Sequence, residues 1–409
     1  MKKTLVAIAA LAATGAFAQV EISGNADVAY GSKSVYGGTG NLFAKATGAM
    51  DGFNAPNRIF IKVSEDLGGG MKFKFQNEHG FTPTAATDWS TRQSNGAPGF
   101  QTTGTGATTN VAAQDAQIPM NGYLTTGTNR GTFVALEGSF GEIKAGYLVG
   151  HGYNLVAQSG YFVGSENYGA LLQNHGLAEV GGTRANGVEY KSPKVAGAFT
   201  FGVQKQFGAE RSFESATTNA TAPYTANKAE RTSFRVDYAN GPVNAGYVRT
   251  NYEGEFAGTT SSTGASSVFG VAPSATTAAT FYTAKNSSDI LNASYVMGDL
   301  KVAYQYNKAK VDHSTDSLDR TLKSQQIGAQ YTMGATSVFV VTGKGYADSS
   351  SARVNDLKNT QYGVRYAMSK RTTAYFMAGT SKDVSAATAA DAKLASKGTF
   401  NGIGLSHAF

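Results

Sequence analysis

Residues 57–80, "NRIFIKVSEDLGGGMKFKFQNEHG", decide the fold. Ile59, Ile61 and Val63 fall on one face of an extended strand, against Arg58, Lys62 and Ser64 on the other. After the Gly68-Gly69-Gly70 turn, Met71, Phe73 and Phe75 alternate with Lys72, Lys74, Gln76 and Glu78. Lysine and glutamate on the inner face of a soluble sandwich would be costly to bury. Apolar residues outward and charged residues inward is the pattern of a transmembrane barrel.

The same pairing recurs along the chain. Further tight turns are predicted at 139–141, 192–197, 240–241, 298–299, 333–335 and 369–371, where Asn, Gly, Asp and Ser supply hairpin chemistry. Phe199, Phe201 and Val203 oppose Thr200, Gly202 and Gln204, and Val302, Tyr304 and Tyr306 oppose Lys301, Ala303, Gln305 and Asn307. Between the pairs lie long polar segments at 31–56, 82–128, 152–183, 208–229, 253–285, 313–321, 348–356 and 383–396. Seven short turns and eight long loops predict an all-β fold, a 16-stranded antiparallel transmembrane β-barrel with short periplasmic turns and long extracellular loops. The stretches "TSVFVVTGK" and "TTAYFMAG" are apolar on both parities, which fits either a subunit contact packed on both faces or a misread register.

The N-terminus "MKKTLVAIAALAATGAFA" reads as a secretory signal cut after Ala18, leaving 19–409 as the barrel. Its loss lowers the basic count from 35 to 33 against 28 acids, a net charge of +5. No later stretch is long and apolar enough for a membrane helix, so membrane residence requires a closed barrel. The chain has no Cys, which excludes a disulfide framework and a cysteine nucleophile. Histidines at 79, 151, 175, 313 and 407 lack metal-ligand spacing, and Gly68–Gly70 is not followed by the Lys-Ser/Thr of a phosphate loop. No enzyme motif, metal or cofactor is expected. The lysines alternate along strands and form no contiguous patch for nucleic acid. The chain ends "NGIGLSHAF", a strand with Ile403, Leu405, His407 and Phe409 on one face; the terminal Phe is expected in the aromatic girdle at the periplasmic interface.

Residues 57–78 resemble the second hairpin of the Gram-negative general porins of the beta-proteobacterial and neisserial type. "NRGTFVALEGSFGEIKAGYLVG" and "NGVEYKSPKVAGAFTFG" resemble the next two hairpins, and "GIGLSHAF" the last strand. The resemblance implies a trimeric, water-filled diffusion channel narrowed by a third loop, here 152–183. It maps constriction arginines to Arg58, Arg130 and Arg184, and constriction acids to Glu78 and Glu166. Arg184 shares parity with Val188 and Tyr190, which places it outward unless the strand starts later or carries a bulge. Lys62, Lys72, Lys74 and Lys144 alternate inward and are expected to line the pore, and Phe409 to serve as the assembly signal. The expected function is passive diffusion of small hydrophilic solutes and ions, with anions preferred. The alternatives are a substrate-specific channel and a barrel adhesin acting through its loops. Implied partners are outer-membrane lipid and lipopolysaccharide, two further copies in a homotrimer, the barrel-assembly machinery, and small anions and hydrophilic solutes.

Overall fold

A computed structural model describes residues 19–37, 42–51, 54–81, 83, 129–158, 163–164, 184–207, 229–259, 279–313, 319–349, 353–383 and 395–409. The strands are β1 (Gln19–Gly37), β2 (Leu42–Asp51), β3 (Arg58–Gly68), β4 (Met71–Gly80), β5 (Asn129–Gly138), β6 (Gly141–Val149), β7 (Arg184–Lys191), β8 (Phe199–Phe207) and β9 (Ala229–Asn240). They continue as β10 (Val243–Thr259), β11 (Ala279–Met297), β12 (Leu300–His313), β13 (Arg320–Met333), β14 (Thr336–Ser349), β15 (Arg353–Ala367), β16 (Thr372–Asp383) and β17 (Ala395–Ala408). A helical turn, α1 (His151–Tyr153), runs into a π turn at Asn154–Gln158.

From β3 onward each strand pairs antiparallel with the next, and β1 closes the ring on β17, with Asn25 opposite Ala408. The other edge of β1 is shared. Gln19–Asn25 pairs with β3, and Val28–Tyr36 pairs with β2. The seventeen segments therefore occupy sixteen positions around the barrel. Closure leaves the ring β1–β3–β4 through β17 without an open sheet edge, which lipid requires. Beyond β17 the last residue extends the ladder, because the Gly24 and Phe409 amides each donate to the other's carbonyl, at 2.9 and 3.1 Å.

All seven predicted hairpins are present. Gly241, Gly298 and Gly334 turn the chain at φ of 55–58°, a left-handed conformation that a side chain would strain. Three predicted loops are shorter than their polarity suggests. Segment 31–56 is mostly the β1–β2 hairpin, whose residues pair with β17 and with each other. Strand β10 runs to Thr259 and β11 begins at Ala279, inside the expected 253–285 loop. Strands β14 and β15 leave only 350–352 between them, where 348–356 was expected. Polar strands above an apolar band form here because their backbones pair with neighbouring strands, whatever their side chains prefer. Residues 1–18, where the signal is read, lie outside the described residues, as do the greater parts of the 82–128, 208–229 and 383–396 segments.

The outward face carries Val20, Ile22, Tyr30, Ile61, Tyr362, Ile403 and Leu405, all exposed in the isolated chain, as a lipid-facing surface demands. The inward face is not uniformly polar. Phe339, Val341, Tyr375 and Met377 gather on the inner wall with Ala29, Met50, Phe400 and Val163. This explains the doubly apolar stretches of β14 and β16: their inner face packs against Val163 of the 152–183 segment, inside one chain.

Candidate pore constriction

Pairing partners share a face of the sheet. Across β3, β4 and β5 the register sets Lys62 beside Gln76, Ser64 beside Lys74, Asp66 beside Lys72, and Glu78 beside Gly131. Lys62, Lys72 and Lys74 therefore face the lumen with Glu78. So does Phe60, an aromatic in the charged register, with the Arg58 guanidinium 5.3 Å and the Lys62 ammonium 5.4 Å from its ring.

Arg130 reaches the lumen by a different route. The β4–β5 register shifts between Glu78 and His79, which pair with Gly131 and Asn129. Arg130 is the extra residue of this bulge, and the bulge turns its side chain inward. Its Nε donates to Glu78 Oε1 at 2.9 Å, while Arg58 Nη1 lies 3.4 Å from the same oxygen. Glu78 is only 3 % exposed, and these two guanidiniums stand in for the water it has lost. Arg184 stands at the outward register of β7, but its side chain folds back. Its Nε donates to the Arg130 carbonyl at 2.6 Å, and its guanidinium lies 4.9 Å from the Tyr153 ring. The structure thus brings Arg58, Arg130, Arg184 and Glu78 together, whereas Glu166 lies outside the described residues.

Lys74 and Lys144 belong to a ladder of alternating charge across β4–β7. Glu137 pairs with Lys74, which lies 3.1 Å from Glu142; Lys144 lies 3.0 Å from both Glu142 and Glu189. His151 Nε2 ends the ladder 3.3 Å from Glu189. Each lysine is flanked by two carboxylates, so these lysines contribute local neutrality and rigidity to the wall rather than free positive charge. Lys62 pairs with Glu21 at 2.8 Å, both well exposed. Lys72 is exposed beside the Gly68–Gly70 turn, at the short-turn mouth.

The described part of the 152–183 segment folds into the barrel. Leu155 and Val156 pack on Val248 and Ile290, inward residues of β10 and β11, and Asn292 Nδ2 donates to the Leu155 carbonyl at 2.6 Å. Two inward glycines leave room for it. A Cβ on Gly202 would meet the His151 ring, and one on Gly328 would overlap Val163. Arg365, on β15, four positions round the ring from the β3 strand of Arg58, holds the described tip of the segment. It donates through Nη2 to the Gly164 carbonyl and through Nε to Asn54 Oδ1 at 2.8 Å, with its guanidinium 4.4 Å from the Phe339 ring. Asn54 is positioned in turn by the buried Asp27, whose Oδ2 accepts from the Ala55 amide at 2.8 Å and whose Oδ1 accepts from the Tyr375 hydroxyl. Sequence reading did not single out Arg365. Its parity with Gln361 and Gly363, opposite the outward Tyr362, Val364 and Tyr366, was the available signal.

A closed barrel with an apolar exterior, a charged interior and a described loop segment folded inside it has the architecture of an outer-membrane channel. The chain belongs to the Gram-negative porin family, whose model matches residues 4–386. An anion-selective porin from Comamonas acidovorans superposes with a TM-score of 0.63 at 19 % identity, covering 96 % of this chain and all of that one. In-vitro folded OmpT, an outer membrane protein of Vibrio cholerae, gives 0.61 at 13 % identity over 96 % and 98 % of the two chains. Salmonella typhi OmpF in complex with daunomycin gives 0.54 at 13 % identity over 97 % and 99 %. No curated protein sequence matches the chain.

Proposed function

We propose that this porin passes small hydrophilic solutes and ions with a preference for anions, and that the constriction lies where the 152–183 segment faces Arg58, Arg130 and Arg184. One observation carries this reading. The Arg58 and Arg130 guanidiniums share Glu78, and Arg184 is held on the Arg130 carbonyl and over Tyr153, an excess of basic side chains over Glu78 beside the described start of the loop. Charge in a narrow passage with low-dielectric walls is focused, and it sets which ion enters. The neighbouring ladder of Lys74 and Lys144 is balanced by its glutamates and leaves that excess uncancelled. The anion selectivity of the Comamonas porin agrees with this direction. Homotrimer assembly is part of the same proposal, as OmpT of Vibrio cholerae has a trimer form.

The test is the zero-current potential of the purified protein in a planar bilayer under a KCl gradient. Chloride preference that weakens in Arg58→Ser/Arg130→Ser is the expected outcome. Cation preference in the unmodified protein overturns the charge assignment. Saturable conductance with one solute class selects the substrate-specific reading, and no conductance at all selects a barrel adhesin.

A further inference from the structure

Asp27, on β1, is a buried carboxylate with no part in the arginine cluster. Its Oδ2 accepts from the Ala55 amide at 2.8 Å, its Oδ1 accepts from the Tyr375 hydroxyl, and its own amide donates to Asn57 Oδ1. These partners are neutral, and the residue is 0 % exposed. A carboxylate is costly to bury unless hydrogen bonds replace its water. Here those hydrogen bonds all come from other elements of the barrel, so the charge is bound up with the geometry it fixes.

What Asp27 holds is the connector between β2 and β3, residues 54–57. Ala55 and Asn57 are its two points of attachment, and the Asn57 carbonyl also accepts from the Phe81 amide at 3.2 Å. Each end of the connector carries part of the constriction. Arg58 follows Asn57 directly and reaches Glu78 on the next strand. Asn54 stands at the other end, where its Oδ1 accepts from Arg365 Nε at 2.8 Å. Arg365 in turn donates to the Gly164 carbonyl at the described tip of the inner segment, and to Gln330 Oε1 at 3.3 Å. Tyr375 packs in the apolar inner patch that also contains Val163. Asp27 thus reaches the tip by two routes, through Asn54 with Arg365 and through Tyr375. It reaches the arginine cluster by a third, through Asn57.

We propose that Asp27 is a positioning residue that couples the arginine cluster to the inner segment, so that one carboxylate sets both the ion preference and the width of the pore. That role presupposes the constriction at Arg58, Arg130 and Arg184. With both oxygens occupied, the connector has one position, and Arg58 and Gly164 keep a fixed separation. With one acceptor lost, the connector gains freedom at both ends. Arg58 is then less firmly held beside Glu78, and Arg365 loses a fixed partner. Ion preference and conductance change together, which loosening Arg58 or Arg365 alone would not produce.

Asp27→Asn keeps the size of the side chain and leaves one oxygen to accept, because an amide nitrogen cannot accept from the Ala55 amide or the Tyr375 hydroxyl. Single-channel recording and the zero-current potential in a KCl gradient read the two effects. Time spent at a higher conductance level is expected to rise about tenfold, the consequence of losing one hydrogen bond to a charged group. Chloride preference is expected to fall about twofold in the same membranes. Tyr375→Phe removes one donor and is expected to move both readouts in the same direction. Arg365→Met already frees Asn54, so adding Asp27→Asn to it should change the conductance by less than about twofold more. Unchanged conductance and ion preference in a folded Asp27→Asn barrel overturn the proposal, whatever its thermal stability. A change in one readout without the other, or full additivity with Arg365→Met, overturns it as well. Should Asp27→Asn give no folded barrel, Tyr375→Phe decides by the same criteria. Cation preference in the unmodified protein refutes the charge assignment of the constriction, whereas joint shifts that Arg365→Met absorbs still sustain the role of Asp27.

Discussion

Glu78 Oε1 accepts from Arg130 Nε at 2.9 Å and lies 3.4 Å from Arg58 Nη1, so one oxygen serves guanidiniums from two different strands. The sharing holds both arginines at the wall and leaves the group with one positive charge in excess, before Arg184 is added. Glu78→Gln keeps the shape and removes the carboxylate charge that Arg58 and Arg130 share. Chloride over potassium permeability is expected to rise about two- to fivefold, as the charge acts within a focused field. Reversal potentials in a KCl gradient read this directly, and an unchanged or lowered ratio would mean that Glu78 is screened from the ion path.

Arg365 and Gly328, on the same stretch of wall, both hold the described tip of the inner segment, one by a hydrogen bond to Gly164 and the other by leaving space for Val163. Arg365→Met removes the donors while keeping the stem over Phe339. Gly328→Val fills the space and must displace Val163. Both are expected to raise single-channel conductance and current noise by moving the segment off the wall. If the two variants conduct like the unmodified protein, the segment does not limit the current.

Two lysines on the same wall are expected to differ in their effect on stability. Lys144 is 21 % exposed between Glu142 and Glu189, which are 16 % and 10 % exposed. Lys144→Met leaves two poorly solvated carboxylates short of a partner and should cost about 3 kcal/mol. Lys62 and Glu21 are 39 % and 54 % exposed, and Lys62→Met should cost less than about 1 kcal/mol. Urea unfolding midpoints in lipid vesicles compare them, and equal losses would mean that the ladder is solvated in the open pore.

Much of the barrel was legible because hairpin turns and period-two alternation are local. Asn240-Gly241 and Gly298-Asp299 fix their turns whatever surrounds them, and the parity of Lys62, Lys72 and Lys74 follows from the pleat. What was hidden depends on contacts far apart in sequence. Arg130 faces inward only because a bulge forms opposite Glu78 and His79, and parity alone cannot show a bulge. The apolar inner face of β14 and β16 made sense only once Val163 was found against it. Strand β2 was read as a loop because its side chains carry little alternation; its pairing with β1 comes from the backbone.

Phe409 closes the ladder with its backbone and covers Gly24 with its ring, so the last residue acts in two separable ways. Phe409→Ala keeps both backbone hydrogen bonds and removes the ring. The ring is 41 % exposed, so its loss should lower stability by only about 1–2 kcal/mol in refolding experiments with pure protein and lipid. Deleting Phe409 also removes the two hydrogen bonds to Gly24 and should cost more. In cells, recognition of the terminal aromatic by the assembly machinery predicts a far larger loss of folded barrel for Phe409→Ala than refolding shows. Heat-modifiable band intensity in both settings makes the comparison. A large deficit confined to cells identifies Phe409 as a recognition signal, whereas equal modest deficits reduce its role to packing over Gly24.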